Sequence, residues 1–183
     1  KVRYLGTSND SAYGTTKANM ICECYGYRRF ESIQNNFSLL NRRFLDEMVP
    51  LCREEKISLL PYSPMAGGVL SGKYNRDPKT AGRFTRYAAS PEERVRKMAD
   101  RFLNEKTLAA TARYMAIAED LGVSPVTLAI AWSKQFDFVA STIVGANSCS
   151  QLEESIAALE LTLTDETLEL CDQVHRDILY PMG

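Results

Sequence analysis

Residues 58–74 read SLLPYSPMAGGVLSGKY, a short apolar strand pattern that runs into a turn rich in proline and glycine. The same kind of unit recurs along the chain, and in each unit helical periodicity follows the punctuation. We predict strands at Val2–Leu5, Ser32–Phe37, Ser58–Tyr62 and Thr142–Val144. Alternating strands and helices predict an α/β fold with a parallel sheet.

The number of these units bears on the architecture. A closed (β/α)8 TIM barrel needs eight units and about 250 residues, whereas this chain of 183 residues shows four. We therefore expect one domain over residues 1–183 that supplies about half of such a barrel. An open three-layer sheet is the alternative, but the glycine-rich phosphate turn of a dinucleotide fold is absent from the sequence. Because the chain opens at Lys1 in strand-like sequence, we expect an N-terminal part to be missing.

Composition favours an ordinary globular domain and narrows its partners. The chain is 45% hydrophobic, and 22 Lys and Arg face 23 Asp and Glu, for a net charge of -1. This balance gives no drive toward nucleic acid or an anionic membrane, and no spanning segment or secretory leader is visible. Five scattered cysteines are typical of reduced thiols rather than of disulfides or a metal site. We expect a cytoplasmic protein.

One segment interrupts the strand–helix rhythm. Between Lys73 and Lys106 there are ten Lys or Arg and five Asp or Glu, with no clear strand. A solvated charged helix over 91–104 accounts for part of this charge. Residues 73–86 are predicted as a basic loop, and a basic loop after a strand end suggests an anion site.

Four polar strings stand where the predicted strands end, at residues 6–9, 34–36, 62–68 and 144–148. Hydroxyl and amide side chains in the first two can bind a planar amide, although a turn or a buried amide network would use the same residues. Tyr62 could stack on a flat heterocycle, and the glycines after it allow backbone amides to approach a phosphate. The last string leads into a helix that we expect Ser148 to cap, with capping-box spacing to Gln151. Each of the last two strings is equally typical of an ordinary turn or cap.

Taken together, the strings resemble the aldo-keto reductases, in the branch that includes the potassium-channel beta subunits and related bacterial and plant reductases. The resemblance rests on VRYLGTSN at 2–9, QNNFSLLNR at 34–42, YSPMAGGVLSGKY at 62–74, and Gly145-Ala146 through QLEES at 151–155. It covers essentially the whole chain and corresponds to strands five to eight of the family's barrel.

The resemblance implies an NADP(H) site and a role for each residue in it. Ser8, Asn9 and Gln34 would hold the nicotinamide carboxamide, and Tyr62 would stack on its ring. Lys73 and Arg83 match the basic pair over the phosphates, including the ribose 2′-phosphate. The pyrophosphate would be lined by Ser63, Pro64, Met65 and Ala66, and the adenosine end would be held by Gly145, Asn147, Gln151, Glu154 and Ser155. Ser155 replaces the usual Asn, and Asn147 a common Ser.

The family's catalytic Asp, Tyr, Lys and His belong to the first four strands, and none of their motifs occurs in this chain. The single histidine, His175, falls on the last predicted helix and is interpreted as structural. The resemblance thus implies the cofactor-binding half of an NADPH-dependent reductase of aldehydes or ketones, inactive by itself. The alternatives are an NADPH-binding regulatory or sensor subunit and a half-barrel scaffold.

Assembly follows from the same half-barrel hypothesis. A half barrel leaves two strand edges unpaired and apolar side chains such as Ile33 or Leu60 open to water. We therefore expect the chain to pair with its own N-terminal half or with another copy of itself. The expected ligand of the complete enzyme is a small carbonyl substrate, with neither nucleic acid nor membrane as a partner.

Overall fold

A computed structural model describes residues 1–182 and contains three parallel strands in the order β1-β2-β3. The strands are β1 (Leu5–Ser8), β2 (Phe30–Asn36) and β3 (Ser58–Tyr62). The helices are α1 (Ala12–Tyr25), α2 (Phe44–Glu55), α3 (Lys73–Arg76), α4 (Arg83–Ala88), α5 (Glu93–Phe102), α6 (Glu105–Asp120), α7 (Pro125–Lys134), α8 (Cys149–Ala157) and α9 (Asp165–Asp177), with a 3-10 helix at Ala66–Ser71. Strand and helix alternate as predicted from β1 to β3, and the fold is α/β. After β3 the described residues form helices and no further strand.

Side-chain caps fix where several helices begin. The side-chain oxygens of Ser124, Ser148 and Thr164 each accept a hydrogen bond from the backbone amide three residues later. Pro125 is the first residue of α7. The predicted capping box of α8 is only half correct. Ser148 caps the helix, but Gln151 Oε1 accepts from the Asn147 amide at 2.9 Å rather than from Ser148.

The strand predictions differ in accuracy. Ser58–Tyr62 is confirmed, and Ser32–Phe37 becomes Phe30–Asn36. Val2–Leu5 is wrong: the first strand runs from Leu5 to Ser8, because pairing with β2 begins only at Leu5 opposite Phe30. Val2 and Tyr4 lie before the ladder and are exposed.

The predicted strand at Thr142–Val144 is wrong as well. The chain does approach β3 here: Leu59 bonds to Phe138 and Ala140, and the Ile143 amide donates to the Pro61 carbonyl at 2.8 Å. Only an isolated bridge between Leu59 and Val139 results. Pro61 explains the interruption, because proline has no N–H with which to continue the ladder.

The basic segment is more ordered than expected. Residues 73–86, predicted as loop, contain α3 and the beginning of α4. The charged helix predicted at 91–104 is confirmed as α5, Glu93–Phe102. Four-residue α3 and six-residue α4 are too short for helical periodicity to show in the sequence.

The core lies between the helices and one face of the sheet. Phe37 packs on Trp132 with ring centroids 4.9 Å apart, and α7 is buried along most of its length. Ile33, expected to be open to water, is fully buried because its side chain belongs to the helix-covered face of β2, and Leu60 is half-buried. Alternation along β2 leaves Gln34 exposed on the opposite face.

Large apolar side chains are exposed on α1 and in the region from Ile143 to the end of α8. On α1 they are Tyr13, Met20 and Tyr25, and in the second region they are Ile143, Val144, Leu152, Ile156 and Leu159. Within residues 1–182, no single helix has the length and apolarity to cross a membrane. The helical segments 93–120 and 125–134 are long and apolar enough only when taken together, and they are bent by 95° relative to each other.

Candidate functional site

The carboxyl ends of the three strands form one hydrogen-bonded cluster. Tyr62 donates from its hydroxyl to Asn9 Oδ1 at 2.9 Å, and Asn9 Nδ2 donates to Ser8 Oγ at 3.1 Å. Ser8 Oγ in turn donates to the Gln34 carbonyl at 2.8 Å. The backbone amide of Asn9 is held as well, by Asn35 Oδ1 at 2.6 Å. The structure thus brings Ser8, Asn9, Gln34 and Tyr62 together as the sequence predicts.

The backbone at this edge is unusually twisted. Asn9, Ser63 and Ala66 have positive φ angles of 55°, 55° and 48°, which non-glycine residues seldom adopt. Gly67 and Gly68 follow with φ of 65° and 98°. Strained residues of this kind cluster at binding sites, where they aim backbone groups at a ligand. This turn carries the predicted pyrophosphate residues Ser63, Pro64, Met65 and Ala66.

Two cations flank the glycine pair. A Cβ on Gly67 would lie 3.8 Å from Arg83 Nη1, and a Cβ on Gly68 would lie 4.0 Å from Lys73 Nζ. Within residues 1–182 neither cation forms an ion pair with a carboxylate. Lys73 Nζ also lies over the Tyr74 ring, 4.9 Å from its centroid. Two positive charges without a carboxylate partner, beside a left-handed glycine backbone, are suited to bind phosphate.

The fourth predicted group surrounds the start of α8. Gly145 and Asn147 lie in the exposed segment that follows Ile143, whose amide bonds to Pro61 next to Tyr62. Gln151 holds the Asn147 amide, and Glu154 is exposed. Ser155 is 9% exposed and donates its hydroxyl to the Gln151 carbonyl at 3.0 Å. The Ser155 hydroxyl is therefore already bonded within the helix.

Sequence reasoning missed the aromatic residues that support the basic pair. Phe84 stacks on Phe102 at 4.5 Å, and its amide donates to the Tyr74 hydroxyl at 3.2 Å. A usable signal exists: between residues 73 and 102 a basic residue is followed directly by an aromatic one at Lys73-Tyr74, Arg83-Phe84, Arg86-Tyr87 and Arg101-Phe102. One member of each of these pairs can pack inward while the other reaches solvent.

His175 lies outside this cluster, on α9. Its ring packs edge-on against Tyr180 with centroids 5.6 Å apart. Burial lowers the pKa of His175, and the nearby Arg42 guanidinium lowers this pKa further, against the opposing effect of Asp172 and Asp46.

Comparison with known proteins gives a consistent result. The chain is 35% identical to protein tas of Escherichia coli (strain K12) over 188 residues, which is 99% of this chain and 50% of that protein. It is 31% identical to an aldo-keto reductase of Babesia bovis, over 96% of this chain and 61% of that protein. It is 30% identical to versiconal hemiacetal acetate reductase of Aspergillus parasiticus, over 94% of this chain and 48% of that protein.

The chain thus spans about half the length of most of these curated relatives. The model of the aldo/keto reductase family matches residues 1–176, nearly the whole chain. On this match, and on oxidoreductase relatives such as the Aspergillus enzyme, the chain belongs to the aldo/keto reductase family.

Proposed function

We propose that this chain is the cofactor-binding half of an NADPH-dependent aldo-keto reductase, equivalent to strands five to eight of its barrel. The fourth of these strands would correspond to the segment that bonds to Leu59 and Pro61 of β3 and forms only an isolated bridge here. The observation that carries the proposal is that Lys73 and Arg83 lie beside Gly67 and Gly68 without a carboxylate partner in residues 1–182. A dinucleotide with an additional ribose phosphate offers the anionic groups that such a pair would bind. NADH lacks that phosphate and would gain less from it.

The cluster at the strand ends suits the nicotinamide. Ser8, Asn9 and Gln34 carry hydroxyl and amide groups of the kind that donate to and accept from a carboxamide. Because the Ser8 hydroxyl and the Asn9 amide already bond within the cluster, a bound carboxamide would share or replace those bonds. The Tyr62 ring can stack on the nicotinamide while its hydroxyl stays bonded to Asn9. When bound, NADPH supplies the hydride, and these residues orient the ring that delivers it.

The proposed site continues to the adenosine end at α8. Gly145 has open space where a Cβ would project, and Asn147, Gln151 and Glu154 are exposed polar residues next to it. Ser155 is the weakest member, because its hydroxyl is already bonded to Gln151.

Proton donation is the step that we assign to the rest of the protein. Reduction of an aldehyde or ketone needs a proton donor at the carbonyl oxygen, and the motifs that would carry it do not occur in this sequence. We propose that a second half barrel supplies both the acid and the remaining walls of the substrate site.

An unpaired strand edge and exposed apolar side chains support an incomplete barrel. Among the described residues β1 pairs with β2 alone, and Tyr13, Met20 and Tyr25 of α1, the helix that follows β1, are 72%, 59% and 71% exposed. Burial of such surface is worth about 25 cal/mol per Å², which favours covering it. The cover would be the other half of a longer polypeptide or, in a two-fold arrangement, a second copy of this chain.

Assembly is open to a direct test. Light scattering on the dilute 183-residue chain, combined with hydrogen exchange on Leu5–Ser8, distinguishes the possibilities. A dimer with a protected β1 supports closure by a second copy. A stable monomer whose β1 edge is fully protected would contradict the half-barrel proposal.

A binding module without catalysis, a regulatory or sensor subunit, is the second candidate, because the residues proposed to bind the nucleotide lie in this chain and the catalytic set would lie outside it. The polypeptide that precedes Lys1 in a longer protein, or that accompanies this chain, separates the two: an intact Asp, Tyr, Lys and His set supports the reductase, and a defective set supports a regulatory or sensor subunit. A chain that binds no nucleotide would leave only the scaffold.

Cofactor selectivity tests the proposal. Replacing both Lys73 and Arg83 by alanine should weaken NADPH binding several-fold more than NADH binding, measured by calorimetry on the 183-residue chain. The matched control is Lys79→Ala with Arg94→Ala, which removes the same charge from exposed positions in the same region. Equal losses of both cofactors, or an equal effect of the control pair, would overturn the assignment.

A further inference from the structure

Residues 180–182 follow α9 and are bonded to residues of three other helical regions. Tyr180 donates from its hydroxyl to Asp46 Oδ2 of α2 at 2.9 Å, and it adopts a positive φ of 46°. Arg101 Nε of α5 donates to the Met182 carbonyl at 3.1 Å. Asn104 Nδ2, at the cap of α6, donates to the Pro181 carbonyl at 3.2 Å. Pro181 and Met182 are buried, so this segment, here termed the strap, is a fixed part of the fold.

The strap holds the end of α5 that supports the basic pair. Phe102 follows Arg101 directly, and its ring stacks on Phe84 at 4.5 Å and 18°. Phe84 in turn lies against the glycine turn, since a Cβ on Gly67 would be 2.6 Å from its Cζ. Arg83, the neighbour of Phe84 in sequence, reaches the same glycine. A continuous series of contacts therefore joins the strap to Arg83, and it runs through Arg101, Phe102 and Phe84.

Apart from this series of contacts, the Phe84 amide donates to the Tyr74 hydroxyl at 3.2 Å and the Thr85 hydroxyl donates to the Thr80 carbonyl at 3.0 Å. The series matters because α4 is too short to hold its position without such contacts. It contains six residues, fewer than an isolated helix needs, and Arg83 is exposed on its first turn. Phe84 is its buried residue, 1% exposed and packed between the rings of Tyr74, Tyr87 and Phe102. The position of Phe84 thus sets where Arg83 can point.

We propose that Arg101, anchored on the strap, is a positioning residue for the phosphate-binding cation Arg83. The inference rests on the proposed function, because it assigns the ligand of Arg83 as the additional phosphate of NADPH. Arg101 acts through Phe102 and Phe84 and touches no cofactor atom. Binding groups held by a packed supporting layer lose affinity when that layer loosens, even if the groups themselves remain.

Affinity measurements on the 183-residue chain test the proposal. Arg101→Ala should weaken NADPH binding by about fivefold, with a smaller effect on NADH. Arg94→Ala is the control: Arg94 lies on α5, carries the same charge, and is exposed without a bonded partner in residues 1–182. A double-mutant cycle adds the decisive comparison. In an Arg83→Ala background, Arg101→Ala should change NADPH affinity by less than about twofold, since its action runs through Arg83.

The outcomes separate the two proposals. If Lys73→Ala with Arg83→Ala has no selective effect, the proposed function fails. The positioning role is overturned, even if that pair behaves as expected, by either of two results. One is that Arg101→Ala changes NADPH affinity no more than Arg94→Ala does. The other is that Arg101→Ala weakens NADPH binding as much in the Arg83→Ala background as in the parent chain. If Arg101→Ala does not fold, Phe102→Leu takes its place in the double-mutant cycle. This variant removes the ring that stacks on Phe84 but keeps an apolar side chain at that position.

Discussion

The hydroxyl of Tyr62 donates to the side-chain oxygen of Asn9 at 2.9 Å, so the ends of β3 and β1 are joined across β2, which lies between them. Asn9 is in the left-handed region with φ of 55°, a conformation that asparagine tolerates better than most residues. The bond therefore fixes an aromatic ring and a strained amide residue relative to each other, as a preformed site requires.

Two replacements of Tyr62 separate its ring from its hydroxyl. Tyr62→Phe keeps the ring, and we expect most of the NADPH affinity to remain. Tyr62→Leu removes the stacking surface and should cost a further 0.5–1.5 kcal/mol, or about twofold to tenfold in Kd. Titration of NADPH into both variants measures the difference, and equal affinities of the two variants would show that the ring does not stack on the nicotinamide.

The sequence predicted the alternation of strands and helices because hydrophobic periodicity is local information. The predicted bounds of Ser58–Tyr62 agree with β3 at both ends, whereas the predicted first strand begins three residues before β1. Val2–Leu5 is the better strand sequence by propensity, but pairing with β2 selects Leu5–Ser8, which contains a glycine. The predicted strand at Thr142–Val144 does not form, for a reason visible in the sequence. Pro61 has no backbone N–H to donate to a strand beside β3.

The candidate site was predictable to the extent that parallel strands bring their carboxyl ends to one edge. That rule placed Ser8, Asn9, Gln34 and Tyr62 together. The rule does not predict where Arg83 lies, because residues 73–90 show no hydrophobic periodicity. The short helices in this segment form only by packing against the rest of the fold. The contact between Phe84 and Gly67 depends on tertiary structure, and only the repeated basic-aromatic pairs hinted at it.

Glycine replacements separate backbone strain from crowding at the turn. Gly67 and Gly26 have almost the same φ, 65° and 69°, but a Cβ on Gly26 meets nothing within 4 Å. Gly26→Ala should lower the free energy of unfolding by about 1 kcal/mol, from backbone strain alone. Gly67→Ala should cost about 1–3 kcal/mol more, because its Cβ collides with the buried Phe84 ring.

Urea unfolding of both glycine variants gives the comparison. Gly67→Ala should also lose NADPH affinity, and Gly26→Ala should keep it. If the two variants were equally stable, the close packing of Phe84 on the turn would be refuted.

Stability should depend on His175 as the pH falls. Burial, reinforced by Arg42, holds the pKa of His175 below its ordinary value of 6.5, so the folded chain favours the neutral ring. Below about pH 6.5 the unfolded chain takes up this proton more readily, and the free energy of unfolding decreases down to the folded pKa. Above pH 6.5 the contribution is fully present.

His175→Gln removes this titration while keeping a polar side chain of similar length. Denaturant unfolding at several pH values between 7.5 and 5 should show a shallower decrease for the variant than for the parent. Parallel curves for the two chains would mean that His175 is not held neutral by its surroundings.

Catalysis should be absent from the isolated chain. With NADPH and a reactive aldehyde such as a nitrobenzaldehyde, we expect no loss of reduced-nicotinamide absorbance beyond the rate without protein, because no residue here matches the proton donor. Clear turnover by the purified 183-residue chain would show that the catalytic acid lies within it.

Hydrogen exchange with and without NADP(H) tests the central claim most directly, since it reports where the nucleotide binds. We predict that the nucleotide protects Ser8–Asn9, Gln34–Asn36, residues 62–73, Arg83–Arg86 and residues 145–155, with little change elsewhere. Saturable binding that instead protected the groove of about 460 Å³ between Glu105 and Arg176, and left residues 62–73 unchanged, would contradict it.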